Sequence, residues 1–260
     1  MDKEKYTVIT GASSGIGYST AKQFAKRDRN LILIARRKEK LDELKKEILF
    51  DKPNLDIIVK QVDLSIEANL YKLFNELNSF NIETWINNAG FGLYSYLSEQ
   101  DISKTSSMLK LNIEALTILS MLYVKKYKDV PNTQLINVSS AGGYTIVPTA
   151  ITYCGTKFYV SSFTEGLAHE LIETGAQMRA KVLAPAATKT EFGKVANDVD
   201  EYNYEKAFGT YHTSDQLAEF LIQLYDSDQI VGHVNREKFI FDIGEPKFNY
   251  SGTSSHNQTP

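Results

Sequence analysis

The arrangement that most restricts the fold stands at the start of the chain. A β-branched and aromatic run, Tyr6-Thr7-Val8-Ile9-Thr10, breaks at Gly11-Ala12-Ser13-Ser14-Gly15-Ile16-Gly17 and gives way to a helix-period segment over about 18–26. Strand, glycine turn and helix in that order make a phosphate cradle. Glycines let the backbone approach a pyrophosphate, and the helix N-terminus supplies free N–H groups and a partial positive charge. The spacing is G-x-x-x-G-x-G rather than G-x-G-x-x-G, and a glycine turn can also be only a tight connection, so the remainder of the chain has to decide.

The remainder alternates strand with helix. Leu31-Ile32-Leu33-Ile34 is continuously apolar, as a strand covered on both faces should be, and it runs into Ala35-Arg36-Arg37. An acid there would bond the ribose hydroxyls of NAD, whereas two guanidiniums accommodate a 2′-phosphate. The plain alternative is a basic helix start, continued by Lys38 and Lys40, but positive charge at a helix N-terminus opposes the dipole and favours a bound anion. A helix over 38–50 with Leu41, Leu44, Ile48 and Leu49 inward, a third strand over 56–62 and a helix to about 78 follow. Asp63 can bond an adenine amine or can simply cap that helix. A fourth strand, Thr84-Trp85-Ile86, meets the polar turn Asn87-Asn88-Ala89-Gly90. Further on come a long helix over about 104–127 holding Asn112, a strand over 134–138 that delivers Ser139-Ser140, and a strand over 179–184 ending at Pro185-Ala186-Ala187-Thr188-Lys189-Thr190. A helix over 217–225 and a last strand over 238–241 close the pattern, which predicts one α/β domain over 1–250 with a Rossmann-type, doubly wound parallel sheet. Residues 251–260 read as a disordered tail.

Tyr153-Cys154-Gly155-Thr156-Lys157 opens another helical run and sets Tyr153 and Lys157 one turn apart on one face. A phenol titrates near 10 and acts as an acid-base group at neutral pH only where its anion is stabilised, which an ammonium one turn away can do. The spacing alone is weak, being more often that of a buried ring beside a solvated charge. Cys154 is the only cysteine, so no intramolecular disulfide forms; no histidine adjoins it in sequence, and the reading is packing. His169, His212, His233 and His256 are too scattered for a local site, and no metal-ligand spacing occurs. A net charge of -3 lacks the basic excess of a nucleic-acid binder. The charged start, Met1-Asp2-Lys3-Glu4-Lys5, and the lack of a window that reads as a membrane span lead to the expectation of a cytoplasmic protein with no membrane partner.

Thr10-Gly11-Ala12-Ser13-Ser14-Gly15-Ile16-Gly17, Asn87-Asn88-Ala89-Gly90, Asn112, Ser139 and Tyr153-x-x-x-Lys157, in this order and at these intervals, resemble the short-chain dehydrogenase/reductase family from Thr7 to about Thr190. The resemblance implies an NADP-dependent oxidoreductase that interconverts a carbonyl and an alcohol, with Asn112, Ser139, Tyr153 and Lys157 as catalytic groups. It implies cofactor contacts from Gly11, Ser13, Ser14, Gly15, Ile16, Gly17, Arg36, Arg37, Asp63, Asn88, Ala89, Gly90, Tyr153, Lys157, Pro185, Thr188 and Thr190, although Ala186 stands where the family usually has glycine. Residues 191–213 fall where the family places a variable substrate lid, and their aromatic rings suggest an apolar or aromatic substrate. A non-catalytic dinucleotide sensor or scaffold on the same fold would be expected to have lost some of the four catalytic groups, and an epimerase or dehydratase would hold its cofactor tightly. The helix over 151–172 carries Tyr153, Val160, Phe163, Leu167 and Leu171 on one side and Ile151, Cys154, Phe158 and Ile172 on the other. That second stripe predicts a homodimer, or a homotetramer, unless the chain beyond Phe241 covers it.

Overall fold

The computed structural model describes residues 4–252, and in it the opening pattern becomes β1 (Lys5–Thr10) and α1 (Gly15–Lys26). β2 (Asn30–Ala35), α2 (Lys38–Asp51), β3 (Ile57–Gln61), α3 (Glu67–Glu76) and β4 (Asn81–Asn87) follow. Then come α4 (Ile102–Leu109), a π-helical turn (Lys110–Ala115), α5 (Leu116–Tyr127), β5 (Gln134–Val138), α6 (Ile151–Glu173) and β6 (Arg179–Ala184). The last part holds β7 (Thr188–Lys189), α7 (Phe192–Asn197), α8 (Tyr204–Phe208), β8 (His212–Thr213), α9 (Ser214–Asp226), β9 (Val231–Val234) and β10 (Phe241–Gly244).

Period-two alternation explains the layers. Val8, Ile32 and Ile34 point to one face of the sheet, where they meet Leu70, Phe74, Leu119, Tyr123 and Leu171 from α3, α5 and α6. Ile9, Leu31 and Leu33 point to the other, against Phe24, Leu41, Leu44, Leu221 and Leu224 from α1, α2 and α9. Each such side chain contributes about 1.5–3 kcal/mol by leaving water. The sheet order is β3-β2-β1-β4-β5-β6-β9-β10, parallel except for β10 against β9. From β1 the chain winds outward through β2 and β3, then returns to β4 on the other side of β1. A crevice therefore opens beyond the carboxyl ends of β1 and β4.

Several expectations move. β9 was not predicted, and the last strand lies at Phe241–Gly244 because 238–240 belong to a hairpin in which Asn235 Oδ1 accepts from the Glu237 and Lys238 amides and Phe239 adopts φ 52°. Asn87 is the last residue of β4, not part of a turn; its amide donates to Ser120 Oγ and Asn137 Oδ1 inside the core. Asp63 does not cap α3, which starts at Glu67 after Ile66; its carboxylate accepts from the amide and hydroxyl of Ser65. By length and hydropathy, 1.3 on average, the run Ile102–Tyr127 is long and apolar enough to cross a membrane, contrary to the expectation above. Here it packs Met108, Ala115, Leu116, Leu119, Tyr123 and Tyr127 inward, and 39% of its most apolar stretch is buried within the protein.

On α6, Cys154 is buried beside Tyr153 rather than on the outer side, while Ile151 and Ile172 are exposed. The chain after β10 lies along this helix. Glu165 accepts from the amides of Lys247 and Phe248 at 2.8 and 2.9 Å, Phe248 packs on Phe158 and Tyr144, and Tyr250 stacks on His169 at 4.1 Å. The tail expected at 251–260 lies, apart from its first two residues, outside the described residues.

Candidate active site

The crevice is a groove of about 1800 Å³ along the carboxyl ends of the strands. Its floor on the β1 side is the glycine turn. Gly11 and Gly15 have φ of +67° and +56°, where a side chain is strained, and a Cβ on Gly17 would stand 2.5 Å from both Asn88 Nδ2 and Gly11 O. Asn88 ties the crevice shut at its root: its amide donates to Thr10 O and Gly11 O. Thr10 Oγ1 in turn accepts from the Asn88 and Ala89 amides, at 3.0 Å each. Every residue expected to contact the dinucleotide lines this groove except Gly17, which is a packing glycine beneath it. A backbone bared by glycines, two serine hydroxyls, a helix start and two guanidiniums fit a dinucleotide.

The two arginines differ. Arg37 donates through Nε and Nη2 to Ser13 Oγ and pairs with Glu191 at 2.8 Å. That guanidinium, helped by the Ser14 hydroxyl, holds the Glu191 carboxyl below its usual range against the effect of burial. Arg36 is exposed at the rim and lies close to Asp63. Burial raises Asp63, but the two bonds from Ser65 and the charge of Arg36 prevail and leave it lowered. Ala186 has no left-handed backbone, that conformation being confined to Asp28, Asn132, Asp198 and Phe239 among the described non-glycine residues, so glycine is not needed there. Thr188 Oγ1 donates to Ala186 O at 2.9 Å, and Thr190 Oγ1 accepts from the Phe192 amide at 3.1 Å.

Tyr153 and Lys157 rise from α6 into the other end of the groove, both buried, with Lys157 Nζ 5.9 Å from the Tyr153 ring centre. Burial pushes the Lys157 ammonium down to about 8, and its Nζ donates to Val138 O at 2.9 Å. Burial also pushes the Tyr153 phenol up, opposed by the Ser140 hydroxyl, so in this state the phenol is neutral and a proton donor. The expectation for Ser139 does not hold. Its Oγ donates to Lys157 O at 2.9 Å and lies 2.7 Å from Ser161 Oγ, turned into the protein. Ser140 instead faces Tyr153, and its Oγ accepts from the Gly142 amide at 3.0 Å. Asn112 sits in the π turn behind the groove, its amide donating to Phe91 O and Thr156 Oγ1 and its Oδ1 accepting from the Phe91 amide. A Cβ on Gly90 would lie 2.9 Å from that Oδ1 and 3.6 Å from Lys157 Nζ, so Gly90 opens the space between them.

The family model for short chain dehydrogenase matches residues 5–201. The chain belongs to the short-chain dehydrogenase/reductase family. An uncharacterized oxidoreductase of Staphylococcus saprophyticus is 32% identical over 205 residues, 76% of this chain and 80% of that protein. Among solved structures, a short-chain dehydrogenase from Sphingobium yanoikuyae in complex with NADPH is 25% identical, with a TM-score of 0.80 over 98% of this chain and 91% of that one. A family member from Burkholderia phymatum in complex with NAD shares the fold at 20% identity, with a TM-score of 0.77 over 88% of each chain. The fold of this family therefore serves either dinucleotide.

As a short-chain dehydrogenase/reductase the chain is an oxidoreductase, and its groove holds residues that sequence reasoning missed. Tyr94 meets the Tyr153 ring edge-on at 6.2 Å, beside Phe192, one of the aromatic residues expected in 191–213, which packs on the same ring at 5.4 Å. Leu93 and Val147 extend that apolar wall. The signal for Tyr94 lay in Phe91-Gly92-Leu93-Tyr94, an apolar run just past the Asn88–Gly90 turn, where a loop on the surface would have been polar.

Proposed function

We propose that this oxidoreductase interconverts a ketone or aldehyde and the corresponding alcohol with NADP(H), in the cytoplasm, on an apolar or aromatic small molecule. The observation that carries the reading is the convergence of one neutral phenol, one hydroxyl and one buried amine at the aromatic end of the groove: Tyr153, Ser140 and Lys157. When bound, the dinucleotide supplies or accepts the hydride. Ser140 Oγ accepts from Gly142, which leaves its own proton to bond and orient the substrate oxygen. Tyr153 gives that oxygen its proton in reduction and takes it back in oxidation. Lys157, cationic below about 8, stabilises the phenolate left behind and would bond the ribose of a bound nicotinamide. Asn112, beside the space that Gly90 opens, lies on the path by which a proton would return from solvent. Thr188 and Thr190 would hold the nicotinamide carboxamide from the opposite wall.

Ala35 in place of an acid, with Arg36 and Arg37 after it, supports NADP over NAD. Charge-assisted bonds of about 1.5–3 kcal/mol imply a preference of roughly tenfold to a hundredfold. Tyr94, Phe192 and Leu93 around Tyr153 support an apolar substrate. The test is NADPH consumption over a panel of ketones, aldehydes and secondary alcohols, with Tyr153→Phe as control. Turnover by the wild type and a loss of at least about a hundredfold in the variant are expected, with NADPH affinity by fluorescence unchanged. Near-normal turnover by Tyr153→Phe would remove the reading.

A further inference from the structure

Glu191 joins the two ends of the groove. It follows Thr190, precedes Phe192, whose ring packs on Tyr153, and reaches back over the glycine turn. Its Oε2 accepts from Arg37 Nη2 at 2.8 Å, and the Ser14 hydroxyl donates to the same carboxylate. Arg37 meanwhile bonds Ser13 Oγ at 3.2 and 3.3 Å. A guanidinium fork and two serine hydroxyls beside the start of α1 are the donor set that a phosphate group needs, and here a carboxylate of the chain itself stands on part of it. The pair joins two residues 154 positions apart, both about half exposed and both lining the groove. Arg36, next in the chain, makes no ion pair among the described residues.

We propose that Glu191 is a built-in competitor for the cofactor's 2′-phosphate: its carboxylate holds Arg37 until that phosphate takes the guanidinium over, and so it limits the preference for NADP. The proposal rests on the NADP reading above. An incoming 2′-phosphate must break the Arg37–Glu191 pair, while NADH makes no demand on Arg37 and leaves the pair standing. Removing the charge at 191 therefore favours the phosphorylated ligand selectively.

The test is binding by the full chain, without turnover. Affinities for NADPH and NADH are measured by fluorescence, and those for adenosine 2′,5′-bisphosphate and 5′-AMP by calorimetry. In Glu191→Gln, NADPH and the bisphosphate are expected to bind about fivefold more tightly, the scale of one half-exposed ion pair, with NADH and AMP little changed. The gain should shrink as salt is added. Glu191→Ala, with thermal unfolding as the check on folding, should move in the same direction. Unchanged or weaker NADPH binding in both variants would make Glu191 a strut and overturn the proposal, as would an equal gain for all four ligands. Equal affinity of the wild type for NADH and NADPH would count against the NADP reading instead, and the shift of the bisphosphate in Glu191→Gln would still report on the pair.

Discussion

A hydroxyl assists a carbonyl only if its proton is free to point at it, and at the end of β5 the alternation of the strand decides which serine qualifies. Leu135, Asn137 and Ser139 face α6, where Asn137 bonds Thr164 Oγ1 and Ser139 bonds the Lys157 carbonyl. Ser140 falls beyond the strand and faces the phenol. Ser140→Ala should therefore lower kcat by about a hundredfold, on the scale of losing one preorganised donor, with little change in unfolding temperature. Ser139→Ala should do the reverse, retaining turnover and costing about 1–3 kcal/mol of stability by chemical denaturation. Turnover lost in Ser139→Ala but kept in Ser140→Ala would restore the first assignment. The pH dependence turns on Lys157. Burial disfavours its charged form, so the cation that the phenolate needs is present below about 8 and is lost as pH rises through that value, well short of the ordinary 10.5. Reductive kcat should be level through neutrality and fall above about 8, and a profile level across that range would argue against an ammonium beside the phenol. At this scale residue type was legible and orientation was not. Tyr153, Lys157 and the glycine turn stood out through the order and intervals of the motifs together, whereas two adjacent serines look alike until the backbone assigns each a face.

Elements were readable where one periodicity ran long. β2 and α2 carry clean apolar patterns, and their bounds fall within a residue or so of those expected. The interruption at Lys110–Ala115 left no such mark, because a π turn adds one residue to a helix without changing its composition. Its effect is local and specific. It turns Asn112 toward the loop after β4, where the amide takes both the N–H and the C=O of Phe91, so a kink in one helix fixes the loop that carries Tyr94 to Tyr153. β9 escaped for a different reason: Val231-Gly232-His233-Val234 breaks the alternation with a glycine. A Cβ there would stand 3.0 Å from the Phe241 ring and 3.2 Å from Leu224, so a larger residue would press both side chains aside by a few tenths of an ångström. The pair β7 and β8, two residues each, is too short to carry any pattern at all. What stayed hidden in the sequence is thus the set of short or interrupted elements held by tertiary contacts.

At the scale of the molecule the open question is what covers the outer side of α5 and α6. The tail takes part of it: Phe248 lies on Phe158, Tyr250 on His169, and the carboxylate of Glu165, 2% exposed, is held by Tyr144 and two tail amides. Phe158 is therefore packed against the tail of its own chain. Beside the tail a strip of α6 remains open, with Gly155, Ser162 and Gly166 exposed and nothing within 4 Å of a Cβ on either glycine. Met121 on α5 is 48% exposed, and Ile151 and Ile172 near the two ends of α6 are exposed too. Small residues flanked by apolar ones let two helices approach closely, and a surface repeated on every copy is satisfied most simply about a two-fold axis. We propose a homodimer through this strip. Sedimentation equilibrium at micromolar concentration should give twice the chain mass, and Gly166→Arg should return it to that of the single chain with unfolding temperature and NADPH affinity little changed. Phe158→Glu should instead loosen the tail and lower the unfolding temperature without being specific to assembly. A single-chain mass for the wild type would end the proposal and leave the strip as bare surface.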